Sequence, residues 1–91
     1  MEQTLSILVY GKVQGVFFRQ TAKEKADQAG IHGEVRNTGD EKVAILATGT
    51  PEQLSAFVEW CRQGPPKAKV TGVDVKEIPL QLFFGFKIIR Y

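Results

Sequence analysis

Apolar and polar positions along this chain follow two periods, one extended and one helical. Residues 5–10 (LSILVY) are apolar on both faces of an extended chain except at Ser6. That pattern predicts a strand with neighbours on both sides, because a half-solvated strand would alternate more strictly. Residues 20–29 are helical in composition, with Ala22, Ala26 and Ala29 at i, i+4 and i+7. This narrow stripe of small side chains lets a helix lie close to a sheet. Gly30 is placed to end that helix, since glycine takes the left-handed C′ conformation without strain. Residues 32–38 and 42–48 predict two strands, and Val43, Ile45 and Ala47 share one face of the second. Thr38-Gly39-Asp40-Glu41 between them predicts a hairpin turn.

A second helix has the clearest local signals. Thr50 supplies an N-cap, and Pro51 sits at N1, where its missing N–H costs nothing. Gln53 completes a Thr-x-x-Gln capping box. Leu54, Phe57, Val58 and Cys61 follow at i, i+3, i+4 and i+7, and Gly64-Pro65-Pro66 ends the helix. Residues 70–78 alternate as a strand, 79–82 form a loop, and 84–90 predict a last strand with Phe84, Phe86 and Ile88 on one face. The order is β-α-β-β-α-β with a short final strand. Two amphipathic helices each need a sheet face to cover. The pattern therefore predicts an α+β, ferredoxin-like split β-α-β sandwich, with both helices on one face of an antiparallel sheet.

Size and composition narrow what such a fold can do here. Ninety-one residues and 10.1 kDa imply one domain, residues 1–91. Folding at this mass hides roughly 64% of the extended-chain surface, enough for one thin core. A two-lobed cleft or a separate cofactor domain is excluded. Twelve Lys and Arg against ten Asp and Glu leave a net charge of +2, too mild to demand a nucleic acid or a membrane as partner. No apolar run approaches the roughly 20 residues of a membrane span. Met1-Glu2-Gln3-Thr4 lacks the basic start and apolar core of a signal peptide. Cys61 is the only cysteine, so no internal disulfide forms, and a reducing compartment, the cytoplasm, is expected. One His and one Cys do not make a usual zinc site.

Chemistry concentrates in Gly11-Lys12-Val13-Gln14-Gly15-Val16-Phe17-Phe18-Arg19, between a central strand and a helix N-terminus. Such a loop can point several backbone N–H groups at one spot, where the helix dipole adds partial positive charge. That is a cradle for an anion. Arg19 stands where loop becomes helix, so its planar fork can close over the same anion. Gly11 and Gly15 permit a sharp backbone path. No Gly-Lys-Ser/Thr follows the second glycine, so this is not a Walker A loop. Taken alone, the stretch is as consistent with a plain connection carrying a surface arginine.

The run Gly11-x-Val13-Gln14-Gly15-Val16-x-Phe18-Arg19 resembles the signature loop of the acylphosphatase family. A second family motif is matched in order and spacing by Gly33, Val35, Arg36, Asn37, Val43 and Gly49. Glu34 stands where the family has an aromatic residue, and Glu41 where it has the hairpin glycine. Gly39, two residues earlier, is expected to take over the turn. The aromatic finish, Gly85-Phe86 to Arg90-Tyr91, is also similar, so the resemblance spans essentially the whole chain.

That resemblance implies hydrolysis of acyl phosphates to a carboxylate and inorganic phosphate. It implies phosphate binding by Arg19 and by the backbone N–H groups of Gly15, Val16, Phe17, Phe18 and Arg19. It also implies that Asn37 positions the attacking water, that neither metal nor cofactor takes part, and that the partner is a small acyl phosphate met by a monomer. The chemistry is coherent. The leaving carboxylate has a conjugate acid of pKa about 4.3, so it departs without protonation. Phosphoryl transfer is then largely positioning and charge stabilisation.

Other candidates have plainer readings. Cys61 completes an apolar stripe and is expected to be a buried packing residue. His32 is expected at a strand end, Lys12, Lys23, Lys67 and Lys69 in solvent, and Trp60 partly in the core. An RNA-binding module shares this element order and stacks bases on sheet aromatics. Phe84-Gly85-Phe86-Lys87-Ile88-Ile89-Arg90-Tyr91 echoes its aromatic strand, but Lys87 takes the small-residue position and the segment is the last strand. A non-catalytic, regulatory relative of the acylphosphatases would be marked by loss of the arginine or asparagine, and both are present.

Overall fold

A computed structural model describes residues 1–90; Tyr91, the end of the expected aromatic finish, lies outside them. The elements are β1 (Gln3–Lys12), α1 (Phe18–Ala29), β2 (His32–Asn37), β3 (Val43–Gly49), α2 (Pro51–Gln63), β4 (Lys69–Ile78) and β5 (Phe86–Ile89). They form one five-stranded sheet in the order β4-β1-β3-β2-β5. β1 pairs antiparallel with β3 and β4, and β2 antiparallel with β3. β1 is thus an interior strand, as its two apolar faces predict. α1 packs on β2 and β5, α2 on β4, β1 and β3, and the helices touch each other.

The core lies between helices and sheet. Ile7, Val9, Val35, Val43, Ile45, Ala47 and Phe86 are buried from the sheet side. Phe18, Ala22, Ala26, Leu54, Phe57, Val58 and Cys61 meet them from the helices. Trp60 is half-buried, with ring centroids 5.2 Å from Phe18 and 6.0 Å from Phe57. Burial pushes the Cys61 thiol up to about 12, the behaviour of a packing residue rather than a nucleophile. Among the described residues, no helix is long and apolar enough to cross a membrane.

Four expectations change. The sheet is mixed, not wholly antiparallel, because β5 pairs with β2 in parallel. β4 and β5 occupy opposite edges, four strand spacings or about 19 Å apart. The seven residues 79–85 that join them cross the end of the sheet as a strap. Buried Thr4 and Thr48 hold this strap: Gln81 N donates to Thr4 Oγ1 at 2.9 Å, and Thr48 Oγ1 donates to Gln81 O at 2.7 Å.

The last strand is also shorter than predicted. Phe84 is 95% exposed, and its expected alignment with Phe86 and Ile88 fails because the strap is still turning at Gly85. α1 begins at Phe18, two residues early, because the Phe18 side chain enters the core there. Finally, β1 absorbs Gly11 and Lys12, which were expected in the loop. A bulge follows Tyr10, and a Cβ on Gly11 would lie 2.1 Å from the Lys69 carbonyl oxygen. Gly11 is therefore required by strand pairing, not by the loop.

Candidate active site

β1, β2 and β5 all run in one direction, since each is antiparallel to β3 or parallel to β2. Their C-terminal ends meet at one end of the sheet, together with the N-terminus of α1. Asn37 is the last residue of β2, and Arg90 follows the last residue of β5. The segment after β1 leads into α1 and ends beside Arg19 in the helix's first turn.

That segment is anchored at alternate points. Val13 and Val16 are buried and pin the backbone, while Gly15 and Phe17 lie between and beyond them at φ +73° and +63°. Phe17 is a bulky residue in the left-handed region, a conformation that costs roughly 1–2 kcal/mol. Its side chain is 76% exposed, and it serves as the N-cap of α1 without giving a side-chain hydrogen bond. No acidic residue stands in the first turn. The leading amides of α1 thus have neither a capping oxygen nor a carboxylate to offset the helix dipole.

Gln14 ties the loop to the β2–β3 hairpin. Its Nε2 donates to the carbonyl of Thr38, one residue beyond Asn37, at 2.9 Å and to Lys42 O across the turn at 2.8 Å. Across the turn, Thr38 N donates to Lys42 O at 2.9 Å. Within it, hydrogen bonds from Lys42 and then Thr38 hold the Asp40 carboxyl down at about 2. The turn itself departs from expectation. Gly39 does not take the left-handed position; Glu41 does, at φ +68°. The backbone path of the hairpin is imposed by its hydrogen bonds, and the residue at that point follows whatever its type.

A cavity of about 270 Å³ opens at this end of the sheet, lined by Gly15, Phe17, Phe18, Arg19, Asn37 and Arg90 among others. A second, of about 330 Å³, adjoins it and is lined by Arg19, Asn37, Ile89 and Arg90. No carboxylate of the described residues lines either one. Two guanidiniums, the loop backbone and the carboxamides of Gln20 and Asn37 therefore line a common space, an arrangement suited to an anion. Asn37 Oδ1 is buried with no hydrogen-bond partner among the described residues. Another depression of about 270 Å³, between α1 and α2, is lined by Lys25, Ala56, Phe57 and Trp60 and gathers no comparable chemistry.

The structure brings Arg19 and Asn37 together, with Gly15, Phe17 and Phe18 beside them. Val16 is not on the cavity wall; its side chain is in the core. Glu34 does not line either cavity, and lies on β2 between Leu46 and Lys87 of the neighbouring strands. Lys23 is engaged by Asp27 at 2.8 Å. His32 is exposed and accepts a hydrogen bond from Gly85 N at 2.9 Å, a tie for the strap. Arg90 escaped the sequence reading, because only the parallel docking of β5 carries it to the site.

Comparison with known proteins bears on the family of the chain. A family model described as Acylphosphatase matches residues 5–88. An acylphosphatase of Methylococcus capsulatus is 45% identical over 85 residues, covering 92% of each chain. A crystal structure of acylphosphatase from Bacillus subtilis superposes with a TM-score of 0.94 at 38% identity, covering 99% of this chain and all of the other. An acylphosphatase from Coxiella burnetii superposes with the same score at 34% identity, over 97% and 93% of the two chains. These are ferredoxin-like α+β proteins, in agreement with the predicted fold. The chain belongs to the acylphosphatase family and is a hydrolase of acyl phosphates.

Proposed function

We propose that the uncapped start of α1, the loop amides from Gly15 to Arg19 and the Arg19 guanidinium hold the phosphoryl group, and that Asn37 orients the water that attacks it. One observation carries this reading. Arg19 and Asn37, from different elements, line the same two cavities beside the loop. Water attacks phosphorus in line with the acyl oxygen, the P–O bond to the acyl group breaks, and the carboxylate leaves with the electron pair. The water proton passes to a phosphate oxygen. Arg19 and the amides offset the charge on the equatorial oxygens, which is where such a transition state needs it.

The unpartnered Asn37 oxygen supports the second role. A buried acceptor without a donor costs about 1–3 kcal/mol. Rotation about the soft terminal torsion of the carboxamide turns it to the cavity, where water can donate to it. The Nδ2 group can in turn donate to the same water or to the phosphate. Gln14 supports the alignment, since it ties the loop that leads to Arg19 to the hairpin that follows Asn37.

In this reading residues 1–91 act as one monomeric domain on a small acyl phosphate, with inorganic phosphate as the anion left in the loop, and require no metal or cofactor. The buried, unreactive Cys61 supports a cytoplasmic setting. The test is hydrolysis of benzoyl phosphate with EDTA present, for wild type, Arg19→Ala and Asn37→Ala. Turnover survives EDTA, falls about 10³–10⁵-fold without Arg19, and falls about 10²–10³-fold without Asn37. Undiminished turnover in either variant removes that residue from the mechanism.

A further inference from the structure

The two adjoining cavities share Arg19, Asn37 and Arg90 but differ in the rest of their walls. One adds Gly15 and Phe17 of the loop; the other adds Ile89 and no part of the loop. A phosphoryl group seated on the loop amides occupies the first. The acyl group bonded to it then extends toward the second, along Ile89 and Arg90. Beyond Arg90 a wider groove of about 590 Å³ continues between α1 and β5, with Lys23, Asp27 and Lys87 on its walls. Among the described residues, Arg90 and Lys87 face the acyl side together with Lys23, whose charge is paired with the one lining carboxylate, Asp27, at 2.8 Å.

Nothing in an apolar acyl chain would use this charge. Ile89 offers one apolar contact in the second cavity, the next group outward is a guanidinium, and Phe84, Phe86 and Ile88 line the groove only beyond it. An acyl group with an anion of its own would place it against Arg90, where a charge-assisted and bidentate hydrogen bond forms. The surrounding excess of positive charge would also draw a doubly anionic substrate in from solution.

We infer that this enzyme favours acyl phosphates that carry a second anionic group on the acyl moiety, and that Arg90 is the residue that selects them. The inference rests on the reading that Arg19 and the loop hold the phosphoryl group. It assigns the two arginines separate work: Arg19 grips the transferred group, Arg90 the group left behind.

Rigid aromatic substrates test it without intramolecular attack by the added anion. The measurement is kcat/KM for benzoyl phosphate, 3- and 4-carboxybenzoyl phosphate and 4-phosphonobenzoyl phosphate, with wild type, Arg90→Gln, Arg90→Lys and Arg19→Ala. Thermal unfolding of each variant accompanies the rates. Wild type prefers at least one doubly anionic substrate by about tenfold, the size of one charged hydrogen bond, mainly through KM. Whether carboxylate or phosphonate gains more identifies the anion. Arg90→Gln abolishes the preference, Arg90→Lys keeps part of it, and Arg19→Ala lowers all substrates alike. Equal wild-type values for all four substrates overturn the inference. So does a uniform fall in Arg90→Gln, which would make Arg90 a second phosphoryl clamp. Undiminished rates in Arg19→Ala would instead overturn the phosphoryl reading beneath it.

Discussion

The two helices begin in opposite ways. α2 caps its own N-terminus. Thr50 Oγ1 accepts from Gln53 N at 3.2 Å, Gln53 Oε1 accepts from Thr50 N at 2.9 Å, Pro51 has no N–H to place, and Glu52 sits against the dipole. α1 satisfies nothing of the kind. Its cap is a strained phenylalanine, its first turn has no acid, and it contains Arg19. A cation in that turn opposes the dipole and lowers helix stability. The difference separates a scaffold from a site. Positive potential at α2 is neutralised within the chain, whereas at α1 it is not, and the proposed function assigns it to the phosphoryl group. Local rules of helix design are broken where binding needs them broken.

Two changes probe that contrast, and a third tests the other strained non-glycine residue, Glu41. The largest effect is expected from Gln20→Glu, which supplies α1 with the first-turn carboxylate it lacks. Gln20 lines the cavity, so the new charge competes with the phosphoryl group. KM for benzoyl phosphate rises about tenfold, while the helix gains about 0.3–1 kcal/mol from the dipole. Steady-state kinetics and urea unfolding of the same preparation read both; a change in stability with KM unmoved would end the claim that α1 keeps its terminus free for substrate.

A smaller effect comes from uncapping the other helix. Thr50→Ala removes one half of the capping box and lowers stability by about 1 kcal/mol. The urea midpoint moves down and kcat/KM stays at the wild-type value. A parallel fall in activity would mean that α2 is coupled to the site. The smallest effect is at the hairpin. Glu41 occupies a left-handed position that glycine takes at less cost, so Glu41→Gly stabilises the protein by about 0.5–1 kcal/mol. Equilibrium unfolding measures it, and a loss of stability would show that the Glu41 side chain compensates for its own strain.

Much of the molecule was legible from spacing alone. The capping box and apolar stripe of α2, the interior character of β1, the faces of β3 and the stop at Gly30 are short-range features. Gly30 N returns to Asp27 O at 3.3 Å and Ile31 N to Ala26 O at 2.9 Å, as a left-handed C-terminus requires. The misreadings share one cause. The start of α1 at Phe18 depends on core contacts such as Trp60, 42 positions later. Gly11 belongs to β1 because its neighbour, Lys69, lies on β4. Phe84 alternates like a strand residue, but the path of the strap holds it outside β5.

The candidate site divides in the same manner. The order of glycines and valines before Arg19 and the Asn37 motif were written in the chain, and they carried the family resemblance. Arg90 was not, because a basic residue at a C-terminal strand end has no distinguishing neighbours in sequence. By itself the sequence determined which segments become helix and strand and where the helices stop, since these follow from backbone conformation and residue spacing. Tertiary structure decided that β5 docks in parallel at the edge beside β2, that Asn37 and two arginines share one space, and that Glu41 rather than Gly39 bends left-handed. Each of those outcomes depends on contacts between segments far apart in the chain, where geometry is fixed by pairing and packing rather than by local preference.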